Sequence, residues 1–254
     1  MWFGSLLTGA VFLFFLVRFT DRQQVLPMHR TRIMNVGLYH PCSVFVDANG
    51  NGGFDPEELM LNTTDGNGVY YFRHDAAPVV VYTYLGHERC YQSGIGAPLP
   101  LDMATLTNAS VMTPLTSLGI YMISGGVAYD DVSPRITTAL GLLPFSIWTF
   151  DSNSDNAWSI RMEQMMCALA VAVRLFEGGH SRQDITHSAY VSYGALVSDT
   201  ASSGAMIPLG ESNTYVGFLT AVGQRLNASV SLGGVQDAAN TLAMINLNLV
   251  ANMR

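Results

Sequence analysis

Residues 44–58 read VFVDANGNGGFDPEE, and the fold turns on how this stretch is read. Val44, Phe45 and Val46 are β-formers with no helix start signal before them, so the segment is a strand that runs into a loop. From Asp47 to Glu58 the residues satisfy D-x-[DN]-x-[DN]-G-x5-E, the spacing of a twelve-residue calcium loop. Calcium is a hard cation that takes six to eight oxygens in flexible geometry. Asp47, Asn49 and Asn51 offer side-chain oxygens at alternate positions, Gly53 offers its carbonyl, Asp55 ligates directly or through water, and Glu58 closes the set with two oxygens. Gly52 permits the sharp turn, and Phe54 is the apolar residue that would anchor the loop to a core. The competing reading is a solvated turn between strands, rich in Asn and Gly for backbone reasons alone.

Working outward, short β-forming runs separated by Gly, Asn and Asp fill residues 33–90. They are Ser43–Val46, Val69–Arg73 and Val79–Leu85, with Ile33–Tyr39 and Leu59–Leu61 as weaker candidates. They predict a small antiparallel β-sandwich carrying the loop. A Gly- and Pro-containing linker follows over 91–111, and a helical domain over 112–254. Thr113-Pro114 starts one helix and Gly125-Gly126 stops it; Ser133-Pro134 reads as the start of a second, ended by Gly141. Asp130-Asp131 falls before that start and reads as a polar loop. A long helix is expected from Asp155 or Asn156 to Glu177. Its middle is apolar all round and suits the centre of a bundle. Ser181 and Asp184 cap the next helix, over Ile185–Val197. The last helix places Val235, Ala238, Ala239, Leu242, Ile245 and Leu249 on one face. The predicted class is α+β: an N-terminal apolar helix, a small sandwich with a calcium loop, then a C-terminal helical bundle.

The chain has 254 residues, 49% of them apolar and 12% charged, which excludes sustained disorder. Net charge is −7, every basic residue is Arg, and no basic cluster appears beyond residue 32, so a nucleic-acid footprint is missing. Residues 1–19 read as a signal peptide or membrane anchor. The apolar run 2–17 reaches about 24 Å as a helix and would contact a membrane. Arg18, Arg22, Arg30 and Arg32 follow it, which by the positive-inside rule favours a cytoplasmic C-terminus. Cys42 and Cys90 flank the strand-rich region and could close it as a disulfide, which the sequence alone leaves open, while Cys167 lies in an apolar helix and reads as a small core residue.

Enzymatic signatures are weak. The six His show no HExxH or paired ligand spacing, and there is no P-loop and no GxGxxG after a strand. Gly179-His180-Ser181-Arg182 only begins a nucleophile-elbow pattern, and a helix cap explains it better. A second acidic loop, Asp151–Asn156, opens like the first, but Met162 stands where the closing carboxylate belongs, so it reads as a helix N-cap.

The stretch VFVDANGNGGFDPEE followed by TDGNGVYYF resembles the B-type repeat of bacterial serine-aspartate-repeat adhesins and related carboxypeptidase-regulatory-like β-sandwiches. The following segment, with its long Ala- and Met-rich helix, is similar to modules of large secreted surface proteins. The resemblance spans residues 40–178, with specific motifs at 44–58 and 64–72. It implies an extracellular, non-catalytic, calcium-stabilised module. Calcium would sit on Asp47, Asn49, Asn51, Gly53, Asp55 and Glu58, and a protein or glycan would be the partner. The expected role is therefore a calcium-binding structural or adhesion module, secreted, at the cell surface or on a single-pass anchor. The alternatives are a membrane-tethered, hydrolase-like enzyme with its site in the helical half, and a cytosolic calcium sensor on a single-span anchor.

Overall fold

The computed structural model describes residues 28–34, 42–61, 68–73, 80–84, 90, 101–150 and 156–251. The apolar leader over 1–19 and the acidic loop 151–155 lie outside them. Among the described residues, no helix is long and apolar enough to cross a membrane. Among the described residues the fold is mixed α+β and mostly helical, with two small sheets and six helices.

The strands are β1 (Met28–Ile33), β2 (Ser43–Asp47), β3 (Met60–Leu61), β4 (Val69–Arg73), β5 (Val80–Tyr84), β6 (Ala104–Leu106) and β7 (Val111–Met112). One sheet has the order β4-β1-β7 and the other β3-β2-β5-β6. Every pairing is antiparallel except that of β1 with β7, which is parallel, so the expected purely antiparallel sandwich is corrected at that point. β1 also begins earlier than the predicted Ile33–Tyr39. Its alternation runs through Thr31 and Ile33, both fully buried, and the polar Thr hides the period in the sequence.

All five residues of β2 are buried, because its sheet is covered on both sides. Val44 and Val46 join Ile33, Tyr70, Val81 and Met112 in a core drawn from both sheets. Phe45 and its cross-strand partner Tyr82 belong instead to the large core shared with the helices. Cys42 and Cys90, a pairing the sequence left open, form a disulfide inside the first of these cores, both at 0% exposure.

Of the linker predicted over 91–111, the described part, 101–111, is built into the sheets. β6 lies within it and pairs with β5, and β7 starts at its end. The Ala104 backbone of β6 is completed by side chains of the first helix, α1 (Pro114–Ser124). Its N–H donates to Ser117 Oγ at 2.8 Å, and Thr116 Oγ1 donates to its carbonyl at 2.7 Å. An edge strand needs its polar groups answered, and here the bundle answers them. Thr113 caps α1 with Pro114 at the first position, and Thr116 returns the bond to the Thr113 N–H, as a capping box.

The second helix, α2 (Tyr129–Leu140), starts four residues before Ser133 and carries Pro134 inside. The expected start and the expected polar loop at Asp130-Asp131 are both corrected. Val132, Ile136, Ala139 and Leu140 are all buried along one face, and that burial outweighs the single ladder bond Pro134 removes. Asp130 and Asp131 then stand in the first turn, where negative charge is favoured. The remaining helices are α3 (Asn156–Phe176), α4 (Arg182–Ser202), α5 (Ser212–Leu226) and α6 (Leu232–Ala251). α3, expected at the bundle centre from its apolar middle, buries Met162, Met165, Ala168, Leu169 and Ala172 fully but leaves Cys167, Ala170 and Val171 half-buried. α4, which packs against α1, α2, α3 and α5, is the more central helix. Cys167 is a free, partly buried thiol on α3.

Reduction of the Cys42–Cys90 disulfide, which closes a loop of 48 residues, is expected to cost roughly 2–4 kcal/mol, with the chain-entropy estimate at the upper end. Urea unfolding with and without a phosphine reductant measures it, and a Cys42→Ala/Cys90→Ala double variant should match the reduced protein.

Candidate functional site

β2 delivers Asp47 to the end of the sheet, and the chain reverses around its carboxylate. Asp47 is 5% exposed, and neither of its oxygens is idle. Oδ1 accepts from the N–H groups of Gly50 at 2.7 Å and Asn51 at 3.2 Å, and Oδ2 accepts from that of Gly52 at 2.9 Å. Three successive N–H groups can face one carboxylate only if the backbone visits the left-handed region. Gly50 and Gly52 do so, at φ 76° and 72°.

The later loop residues are bonded to one another. Asn49 Nδ2 and Asn51 Nδ2 both donate to Asp55 Oδ2, at 2.6 and 2.8 Å. The two amide oxygens accept from the N–H groups two residues on: Asn49 Oδ1 from Asn51 at 3.0 Å and Asn51 Oδ1 from Gly53 at 2.7 Å. Glu58 ties the two ends of the loop together, since Oε1 accepts from the Ala48 N–H at 2.8 Å and Oε2 from that of Asp55 at 3.1 Å. Phe54 anchors the loop as anticipated. Its ring meets Phe45 edge-on at 5.6 Å, and Phe45 stacks on Tyr82 at 5.7 Å.

The five side chains named from the sequence, Asp47, Asn49, Asn51, Asp55 and Glu58, are thus joined in one hydrogen-bonded network, and Gly53 enters it through its N–H. Among the described residues, no three His, Cys, Asp or Glu side chains stand together as a ready-made metal cluster. Here the acidic groups are answered by N–H donors and separated by Asn. The donor chemistry still suits a hard cation, because every candidate ligand atom is an oxygen. Amide and carboxylate oxygens that already accept one hydrogen bond also keep a second lone pair.

The loop does not project alone into solvent. Gly50, Asn51 and Gly52 form one wall of a cleft of about 380 Å³, with Tyr82 and Tyr121 between them and Gln183 and His187 of α4. A methyl group added at Gly53 would lie 3.2 Å from Gln183 Nε2, so loop and helix are in close approach. Ser181 caps α4, accepting from the Asp184 N–H at 3.1 Å and donating to Asp184 Oδ2 at 2.6 Å. Burial, reinforced by the negative charges of Asp47 and Asp102, pushes the Tyr82 hydroxyl up to about 12. Asp102 itself is pushed up to about 6 by burial, partly offset by the Arg182 guanidinium. Sequence reading missed Asp102, Tyr82 and Gln183. They come from three separate segments and carry no mutual spacing.

No family model matches the chain, and neither a curated protein nor a solved structure matches it.

Asp102 sets a pH dependence with a definite sign. Its folded value lies above the roughly 3.9 of an unfolded aspartate, so its contribution is fully present below about pH 4 and is lost as pH rises through about 6. Asp102→Asn should therefore be more stable than the native chain at pH 7.5, by roughly 1–2 kcal/mol, and show no such gain at pH 4. Urea midpoints at the two pH values test this.

Proposed function

We propose that residues 47–58 bind a calcium ion and that the chain is an extracellular, non-catalytic structural or adhesion module rigidified by it. The observation that carries this reading is the single hydrogen-bonded network that joins Asp47, Asn49, Asn51, Asp55 and Glu58 within the twelve-residue loop. Asp47, Asn49, Asn51, Asp55, Glu58 and the Gly53 carbonyl would hold the ion, which would supply positive charge to a loop bearing four carboxylates, Glu57 included. What leads into the loop supports a static role. The preceding element is β2, locked in a sheet, and the loop exits through Pro56, so there is no leading helix to rotate as in a sensor. The ion would act as a staple across the junction where Gly53 approaches Gln183 of α4. A buried disulfide in the neighbouring core suits an oxidising, extracellular setting, and the resemblance to calcium-bearing adhesin repeats points the same way.

A site with a dissociation constant of about 0.1 mM, typical of extracellular modules, would add about 2 kcal/mol at 2 mM calcium, or roughly 4–8 °C in thermal midpoint. Magnesium, which demands tighter octahedral geometry, should add much less. Asp47→Ala and Glu58→Ala should each abolish the calcium response. Superimposable melting curves of the native chain in chelator and in 2 mM calcium would refute the proposal.

A further inference from the structure

The helical bundle contains a second polar cluster, remote in sequence from the loop. Asn246 of α6 sits inside the bundle at 1% exposure, one turn after Leu242. Its Nδ2 donates to the Tyr215 hydroxyl of α5, and that hydroxyl donates to the Leu209 carbonyl at 3.0 Å. A phenol has one proton, so with that proton on Leu209 the group facing the Tyr215 oxygen must be a donor. The amide orientation of Asn246 is thereby fixed, and its Oδ1 is left buried with no hydrogen-bond partner. Gln164 of α3, also 1% exposed, donates to the Asn246 carbonyl at 3.4 Å and accepts from Arg161 Nη1 at 2.9 Å. Arg161 is partly buried. Among the described residues, no carboxylate pairs with it.

A bundle of apolar helices gains nothing in stability from an orphaned amide oxygen, or from a partly buried guanidinium that meets no carboxylate. Arg161, Gln164 and Asn246 line a cleft of about 470 Å³, whose apolar walls include Leu209, Leu247 and Val250. Small-molecule sites have this size and this mixture of apolar wall and few convergent polar groups. We propose that the cleft binds a small amphiphilic carboxylate carrying a hydroxyl or N–H donor. The carboxylate sits on Arg161, whose other N–H groups remain available to it, the donor answers Asn246 Oδ1, and the apolar body lies against Leu209, Leu247 and Val250. The site is independent of calcium.

Calorimetric titration of the full chain with 3-hydroxyoctanoate, octanoate and methyl 3-hydroxyoctanoate tests the assignment. The first should bind saturably at one site. Octanoate, lacking the donor, should bind about five- to tenfold more weakly, and the uncharged ester at least about tenfold more weakly. Arg161→Gln should weaken 3-hydroxyoctanoate binding by about tenfold or more. Leu247 is 58% exposed, so Leu247→Trp should block the cleft while leaving the thermal midpoint unchanged, which keeps the test valid if Arg161→Gln perturbs folding. Absence of saturable binding at millimolar acid, equal affinity for acid and ester, or undiminished affinity in Leu247→Trp would each overturn the assignment.

Discussion

A strand covered on both faces must have every polar group settled inside the protein, and β2 is such a strand. Val44 and Val46 face the core between the sheets, while Phe45 faces the helices. Each end of the strand is secured by different chemistry. Cys42 is tied covalently to Cys90 just before it, and Asp47 closes its far end by accepting three backbone N–H groups. The helices rest on the sheet that β2 helps to form, so the strand connects the two cores. Its register with β5 places Phe45 opposite Tyr82, which also borders the cleft beside α4.

The two polar clusters of the protein are built on different principles. In the loop, donors and acceptors lie within twelve residues of one another; backbone N–H groups answer Asp47 and Glu58, and the Asn49 and Asn51 side-chain amides answer Asp55. In the bundle, Arg161, Gln164, Tyr215 and Asn246 come from three helices and meet only because those helices pack together. The first cluster is satisfied within itself and asks of an ion only additional coordination. The second contains an acceptor that no group among the described residues answers. Buried groups left in that state cost stability, and they mark a cavity more specifically than its volume does.

Much of the fold was legible from local chemistry. The core of β2, the course of β4, the capping of α1 by Thr113 and of α4 by Ser181, and the apolar centre of α3 all follow from signals within a few residues. The errors fall where distant partners decide. Ser133-Pro134 looks like a helix start, but the burial of Val132 and Ile136 against the bundle extends α2 through it. Residues 91–111 look like a linker, yet β6 finds β5 on one side and the side chains of Thr116 and Ser117 on the other. On α6 the inferred face does turn inward, with Val235, Ala239 and Leu242 buried and Ala238, Ile245 and Leu249 half-buried, but packing also buries Ala243 and the polar Asn246, which no local signal marks.

Sequence by itself determined the twelve-residue loop, its six candidate oxygen donors, the likeness of its flank to a strand, and the helical character of the second half. These depend on backbone preferences and hydrogen bonds that act over a few positions. Tertiary structure alone decided that β2 is buried on both sides, that the loop abuts α4, and that Asn246 rather than a neighbouring leucine occupies the interior. Burial is a property of what lies opposite a residue. What lies opposite is set by packing between segments far apart in the chain.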